Sequence, residues 1–134
     1  MKNVSNFLII LLLCCLAGSS YSYDGNHDKI INKYRAEINE SAPDDWYTLA
    51  SSAASCMKKN IVNKEVAAWI DRSIEIKKTP YNLELKGDYY MKNRLPENAG
   101  EFYLEALRIG LEEDKDFDVT RLQSKIAKIV NLKT

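Results

Sequence analysis

Residues 63–110 read NKEVAAWIDRSIEIKKTPYNLELKGDYYMKNRLPENAGEFYLEALRIG. Apolar residues recur here every three or four positions, and both prolines punctuate the pattern instead of falling inside it. Val66, Ala67, Trp69, Ile70 and Ile74, with Ile76 at the edge, mark the inner face of a helix expected over Lys64–Lys77. Asn63 can cap its first turn with a side-chain oxygen, and Thr79-Pro80 stops it. A second helix, from about Tyr81 to Lys92, leads through Asn93-Arg94-Leu95-Pro96 into a third from Glu97 to Leu111. Proline lacks an N–H and clashes inside a helix, but at a helix start that N–H has no partner to lose.

The pattern extends backwards as a repeat. Ala54 precedes Val66 by twelve residues, and Gly87 precedes Ala99 by the same twelve. Val66 precedes Ser73 by seven, as Ala99 precedes Ala106, and Ile70 and Tyr103 share a bulky slot. Small residues at such positions let helices approach closely. The unit is a helical hairpin of about 33 residues at roughly 47–79 and 80–113. Its first copy needs a helix from about Trp46 to Lys59, capped by Asp44 or Asp45, with Leu49, Ala50, Ala53, Ala54 and Met57 inward.

In front stands a helix over Asp28–Glu40, with Ile30, Ile31, Tyr34 and Ile38 on one face and Ser41-Ala42-Pro43 at its end. Tyr23–His27 reads as a polar, mobile entry. Behind, Glu112–Asp118 is an acidic linker whose last aspartate caps a helix at about 119–132. That helix carries Val119, Leu122, Ile126, Ile129 and Val130 on one side and Arg121, Gln123, Lys125 and Lys128 on the other. No stretch alternates with period two. The expected fold class is all-α: two stacked hairpins flanked by an N-terminal helix and a C-terminal capping helix.

These spacings resemble the tetratricopeptide repeat, best in the second unit, where Leu83, Gly87, Tyr90, Ala99, Tyr103 and Ala106 stand at the family's large and small signature positions. Residues 63–110 are also similar to tetratricopeptide-like helical tails of secreted Bacteroidetes proteins, of the kind that follow a DUF2911-type β-domain. The resemblance implies a groove lined by the first helix of each hairpin. Carried over by position, it picks out Thr48, Ser51, Ser55, Lys58 and Lys59, then Tyr81, Glu84, Asp88, Met91 and Lys92. It further implies a protein or peptide partner, with Lys58, Lys59 and Lys92 as candidates to hold a carboxylate. Tyr81 and Tyr89 are the aromatic residues expected to keep an edge in solvent.

Met1–Ser22 reads as a secretory signal peptide: Lys2, an apolar run from Phe7 to Ala17, then Gly18-Ser19-Ser20-Tyr21-Ser22. The run is too short for a spanning helix, which needs about 20 apolar residues. Lipidation at Cys14 or Cys15 fits poorly, because Leu13 rather than a small residue precedes Cys14. The expectation is a periplasmic or secreted protein with one domain at 23–134. Cys56, the one cysteine beyond the leader, has no partner for an internal disulfide and should be buried as a small apolar residue.

Across 134 residues, 19 Lys+Arg balance 19 Asp+Glu, so no basic face calls for nucleic acid. A single histidine, His27, excludes any site built from two. Asp114, Asp116 and Asp118 match the opening of a calcium loop, but Val119 replaces its glycine and Lys125 its bidentate glutamate. Asn39-Glu40-Ser41 fits the N-glycosylation pattern, which matters only in a eukaryotic secretory pathway. No catalytic constellation, phosphate loop, metal set or cofactor motif stands out. The sequence therefore points to a non-catalytic binding protein or, alternatively, to a structural module that associates with itself, a homodimer covering the apolar ends of a short array.

Overall fold

A computed structural model describes residues 25–132. The leader assigned to 1–22 lies outside the described residues. Those described form six α-helices and no strand: α1 (Gly25–Glu40), α2 (Trp46–Lys58), α3 (Lys64–Ile76), α4 (Pro80–Lys92), α5 (Pro96–Glu113) and α6 (Thr120–Asn131). The class is all-α, and consecutive helices pack on one another, with α2 also touching α4.

Short polar side chains set the helix starts. Asp45 accepts from the Thr48 N–H at 2.9 Å, and Asn63 does the same for Val66 at 2.9 Å. Before α4, Thr79 and Asn82 cap each other: the Asn82 N–H donates to the Thr79 hydroxyl at 3.3 Å and the Thr79 N–H to the Asn82 amide oxygen at 2.9 Å. Pro80 and Pro96 each open a helix, as expected. Two boundaries differ from expectation. The entry is helical from Gly25 onward, so Gly25–His27 extends α1. Glu112 and Glu113 belong to α5, which shortens the acidic linker to its turn. There Phe117 folds back onto Gly110, where any side chain would meet its ring.

Two apolar clusters fill the interior. The first holds Leu49, Ala50, Ala53, Cys56, Val66 and Ile70, closed in front by Ile31. The second holds Leu83, Ala99, Tyr103, Ala106, Leu122 and Ile129, so α6 closes the rear. Ile74 packs against both. A polar tie also crosses the junction, since the buried Ser73 hydroxyl donates to the Trp46 carbonyl at 2.8 Å and accepts from the Asn82 amide at 3.0 Å.

The two hairpins correspond in detail, but on a register one residue away from the sequence-based one in their first helices. Asp45 and Thr79 are both caps, and α2 and α4 end at Lys58 and Lys92. Both corners turn through a left-handed residue, Asn60 (φ 60°) and Arg94 (φ 61°). Each is locked by the same hydrogen bonds: Ile61 N–H to Cys56 and Leu95 N–H to Tyr90 at 3.0 Å, Asn60 to Met57 and Arg94 to Met91. The offset is therefore 34, pairing Leu49 with Leu83 and Ala53 with Gly87. In the second helices it falls to 33, pairing the buried Val66 with Ala99, Ile70 with Tyr103 and Ser73 with Ala106. The front corner carries one extra residue. Ala54 is thus not the counterpart of Gly87; Ala53 is, wholly buried, while Ala54 turns towards the surface.

Candidate functional site

One trough runs along the surface formed by α2, α4 and α6. Its larger hollow, about 370 Å³, is lined by Ala54, Met57 and Lys58 from α2 and by Leu85, Asp88, Met91 and Lys92 from α4. A second, about 240 Å³, shares Ala54, Leu85 and Asp88 and continues to Tyr81, Glu84, Arg121 and Lys125. The shared residues make the two continuous. Lys58 and Lys92, the last residues of their helices, stand at one end, and Lys92 Nζ lies 3.3 Å from Asn60 Oδ1.

The other end is occupied by a charge network. Lys125 Nζ contacts both oxygens of Asp88 at 2.5 and 2.7 Å and Glu84 at 2.7 Å, while Arg121 reaches Glu84 at 2.6 Å. The Tyr103 hydroxyl donates to Asp88 at 2.7 Å. Burial pushes the Tyr103 hydroxyl's pKa well up, and the Asp88 carboxylate pushes it further, so the phenol stays a donor. Burial likewise raises the Tyr81 phenol. At the rim the exposed Tyr47 ring lies 5.9 Å from Tyr81, the two tyrosines holding equivalent places in the two hairpins.

Of the residues selected by sequence, Lys58, Tyr81, Glu84, Asp88, Met91 and Lys92 reach the trough. Ser55 and Lys59 line neither hollow. Ser51 and Thr48 are turned to local bonds, Ser51 Oγ to the Thr48 carbonyl and the Thr48 hydroxyl to Asp45. The cause is the register: choosing α2 residues 33 positions before those of α4 rotates the selection by one residue, about 100° of helix. On the 34-residue offset the counterparts of Tyr81, Asp88, Met91 and Lys92 are Tyr47, Ala54, Met57 and Lys58. Glu84 lines the trough as a buried side chain ion-paired to Arg121 and Lys125.

What remains open to a ligand is an apolar floor of Ala54, Leu85, Met57 and Met91 with two lysines at one end. Thioethers adapt to varied apolar shapes, and lysines offer mobile point charges. Cys56 is buried, and burial, aided by the Glu65 charge, pushes its thiol up to about 11, where it is inert at neutral pH. Among the described residues no group of three His, Cys, Asp or Glu is placed to hold a metal ion. Asp114 and Asp118 instead accept backbone N–H groups of Asp116 and Thr120 at 2.9 and 3.0 Å. No helix of the described residues is long and apolar enough to cross a membrane. No family model, curated protein or solved structure matches the chain.

Proposed function

We propose that this chain is a non-catalytic binding protein, built from two tetratricopeptide-like hairpins with α6 as cap, that holds a protein or peptide segment in the trough between α2 and α4. The leader-like first 22 residues make the periplasm or the exterior its proposed place of work. One observation carries the reading. The residues left open in the trough form an apolar channel ending at Lys58 and Lys92, which come from equivalent ends of two different helices. A segment with apolar side chains and an acidic group or terminal carboxylate complements that arrangement.

The test is in-cell crosslinking from a photoreactive residue at Met91, followed by mass spectrometry, in the parent and in a Lys58→Glu, Lys92→Glu double variant. Both lysines are exposed, so the thermal midpoint should hold while a specific adduct is lost. An adduct that survives the double charge reversal defeats the reading. So does loss of the adduct together with the fold.

A further inference from the structure

A different surface lies on the far side of α5, where it meets α6. There a hollow of about 360 Å³ is floored by Gly100 and Ile129, walled by Leu104, Ile126 and Val130, and edged by Glu97 and Glu101. Leu104 and Val130 are 55% and 56% exposed, among the most open large apolar side chains of the described residues. No described helix follows α6 to cover Ile126 and Val130.

Gly100 adds an independent observation. A glycine inside a helix destabilises it relative to alanine. Nothing around Gly100 requires one: a methyl there would meet only Ile129 Cδ1, at an ordinary 3.7 Å. Its effect is to keep the floor of the hollow low. A groove between two helices with an apolar floor has the shape that admits the ridge of a third helix.

The rim selects the helix. Its charged lining residues are both acidic, and no lysine or arginine lines the hollow. A second copy pairing through the same seam would carry those acids to the interface from both sides, and like charges there are unfavourable. We infer that the α5–α6 seam is a docking groove for an amphipathic helix of another protein, with an apolar stripe flanked by lysine or arginine. The groove is separate from the trough of α2 and α4, so either proposal can fail alone.

The probe is a synthetic amphipathic helix of about four turns, made with lysine flanks and as a glutamate-flanked twin, titrated calorimetrically into the full chain. The lysine form should bind one to one and at least about tenfold more tightly than its twin. Glu101→Lys, at an exposed position, leaves one acid and one base on the rim and should abolish that preference. Gly100→Ala should weaken binding several-fold while raising the thermal midpoint, a combination that damage to the fold cannot produce. Equal binding of the twins, or binding indifferent to Gly100→Ala and Glu101→Lys, overturns the inference. Sedimentation showing self-association that Leu104→Gln abolishes also overturns it, by giving the groove to a second copy.

Discussion

The two hairpins solve one packing problem with opposite materials. In α2–α3 small residues of α2, Ala50, Ala53 and Cys56, face Val66 and Ile70, with Leu49, Met57 and Trp69 completing an apolar interior whose one reactive group is an inert thiol. In α4–α5 a single tyrosine fills the slot of Ile70, and the helix opposite gives up its side chain at Gly87 to admit it. That substitution brings polarity inward, because the Tyr103 hydroxyl needs an acceptor and finds Asp88, which also binds Lys125. The rear hairpin is thereby tied to α6 by charge as well as by Leu122 and Ile129. A repeat register thus constrains volume at each position, while leaving the chemistry that fills it open.

The contrast is sharpest at Tyr103. Truncating it to alanine leaves a large cavity and removes a donor from Asp88, and should cost about 3–5 kcal/mol, read as a drop in denaturation midpoint. A loss no larger than that of a surface substitution would remove Tyr103 as the keystone of the rear unit. Gly87→Ala probes the same contact from the other side. Its methyl would drive into a ring that is buried and held by Asp88, a cost of about 1–3 kcal/mol, partly offset by about 1 kcal/mol of helix propensity. A net loss is expected, although Ala53 carries that same methyl, wholly buried, in the front hairpin.

Ser52 should respond in the opposite sense. Its hydroxyl, alone among buried side-chain polar atoms of the described residues, has no hydrogen-bond partner. Ser52→Ala removes that orphan and should stabilise the front hairpin by about 0.5–1 kcal/mol in a urea titration. The smallest effect lies in the caps, titratable in front and neutral behind. Bonds from Thr48 hold the Asp45 carboxyl below its usual range. Its contribution is therefore present above the ordinary aspartate pKa of about 4 and lost as pH falls through the lower folded value. Asp45→Asn keeps an accepting oxygen and should flatten the acid limb of the stability curve slightly, whereas Thr79→Ser should leave its pH dependence unchanged.

Helix placement was legible in the sequence because caps and prolines act locally: Asp45, Asn63, Pro80 and Pro96 do what their positions require. The pairing of Val66 with Ala99 and of Ile70 with Tyr103 was legible too, since each pair lies within one helix type. Of the positions picked by spacing, those of α4 line the trough, while of those in α2 only Lys58 does. Counting from α3 back into α2 crosses the front corner, where one extra residue between Ile61 and Val66 leaves no mark in hydrophobic periodicity. Asn60 and Arg94 are both non-glycine residues in a left-handed turn, so the usual glycine signal was missing from both corners. Arg121 and Lys125 read as the polar back of a cap, because an ion pair with α4 depends on where α6 lies, and spacing within α6 does not encode that.

The Ser73 hydroxyl has a consequence for how this small array comes apart. It binds the first residue of α2 and a side chain in the first turn of α4 at once, while sitting in the last turn of α3. Trp46 and Ser73 both belong to the front hairpin. Separating the two hairpins in either direction therefore breaks the bonds of the Asn82 amide to the Ser73 hydroxyl and the Lys77 carbonyl, next to a desolvated hydroxyl. Long arrays can fray unit by unit from an end. Here fraying from either side meets the same shared bond, so both hairpins should gain and lose protection against hydrogen exchange together, as a single cooperative unit.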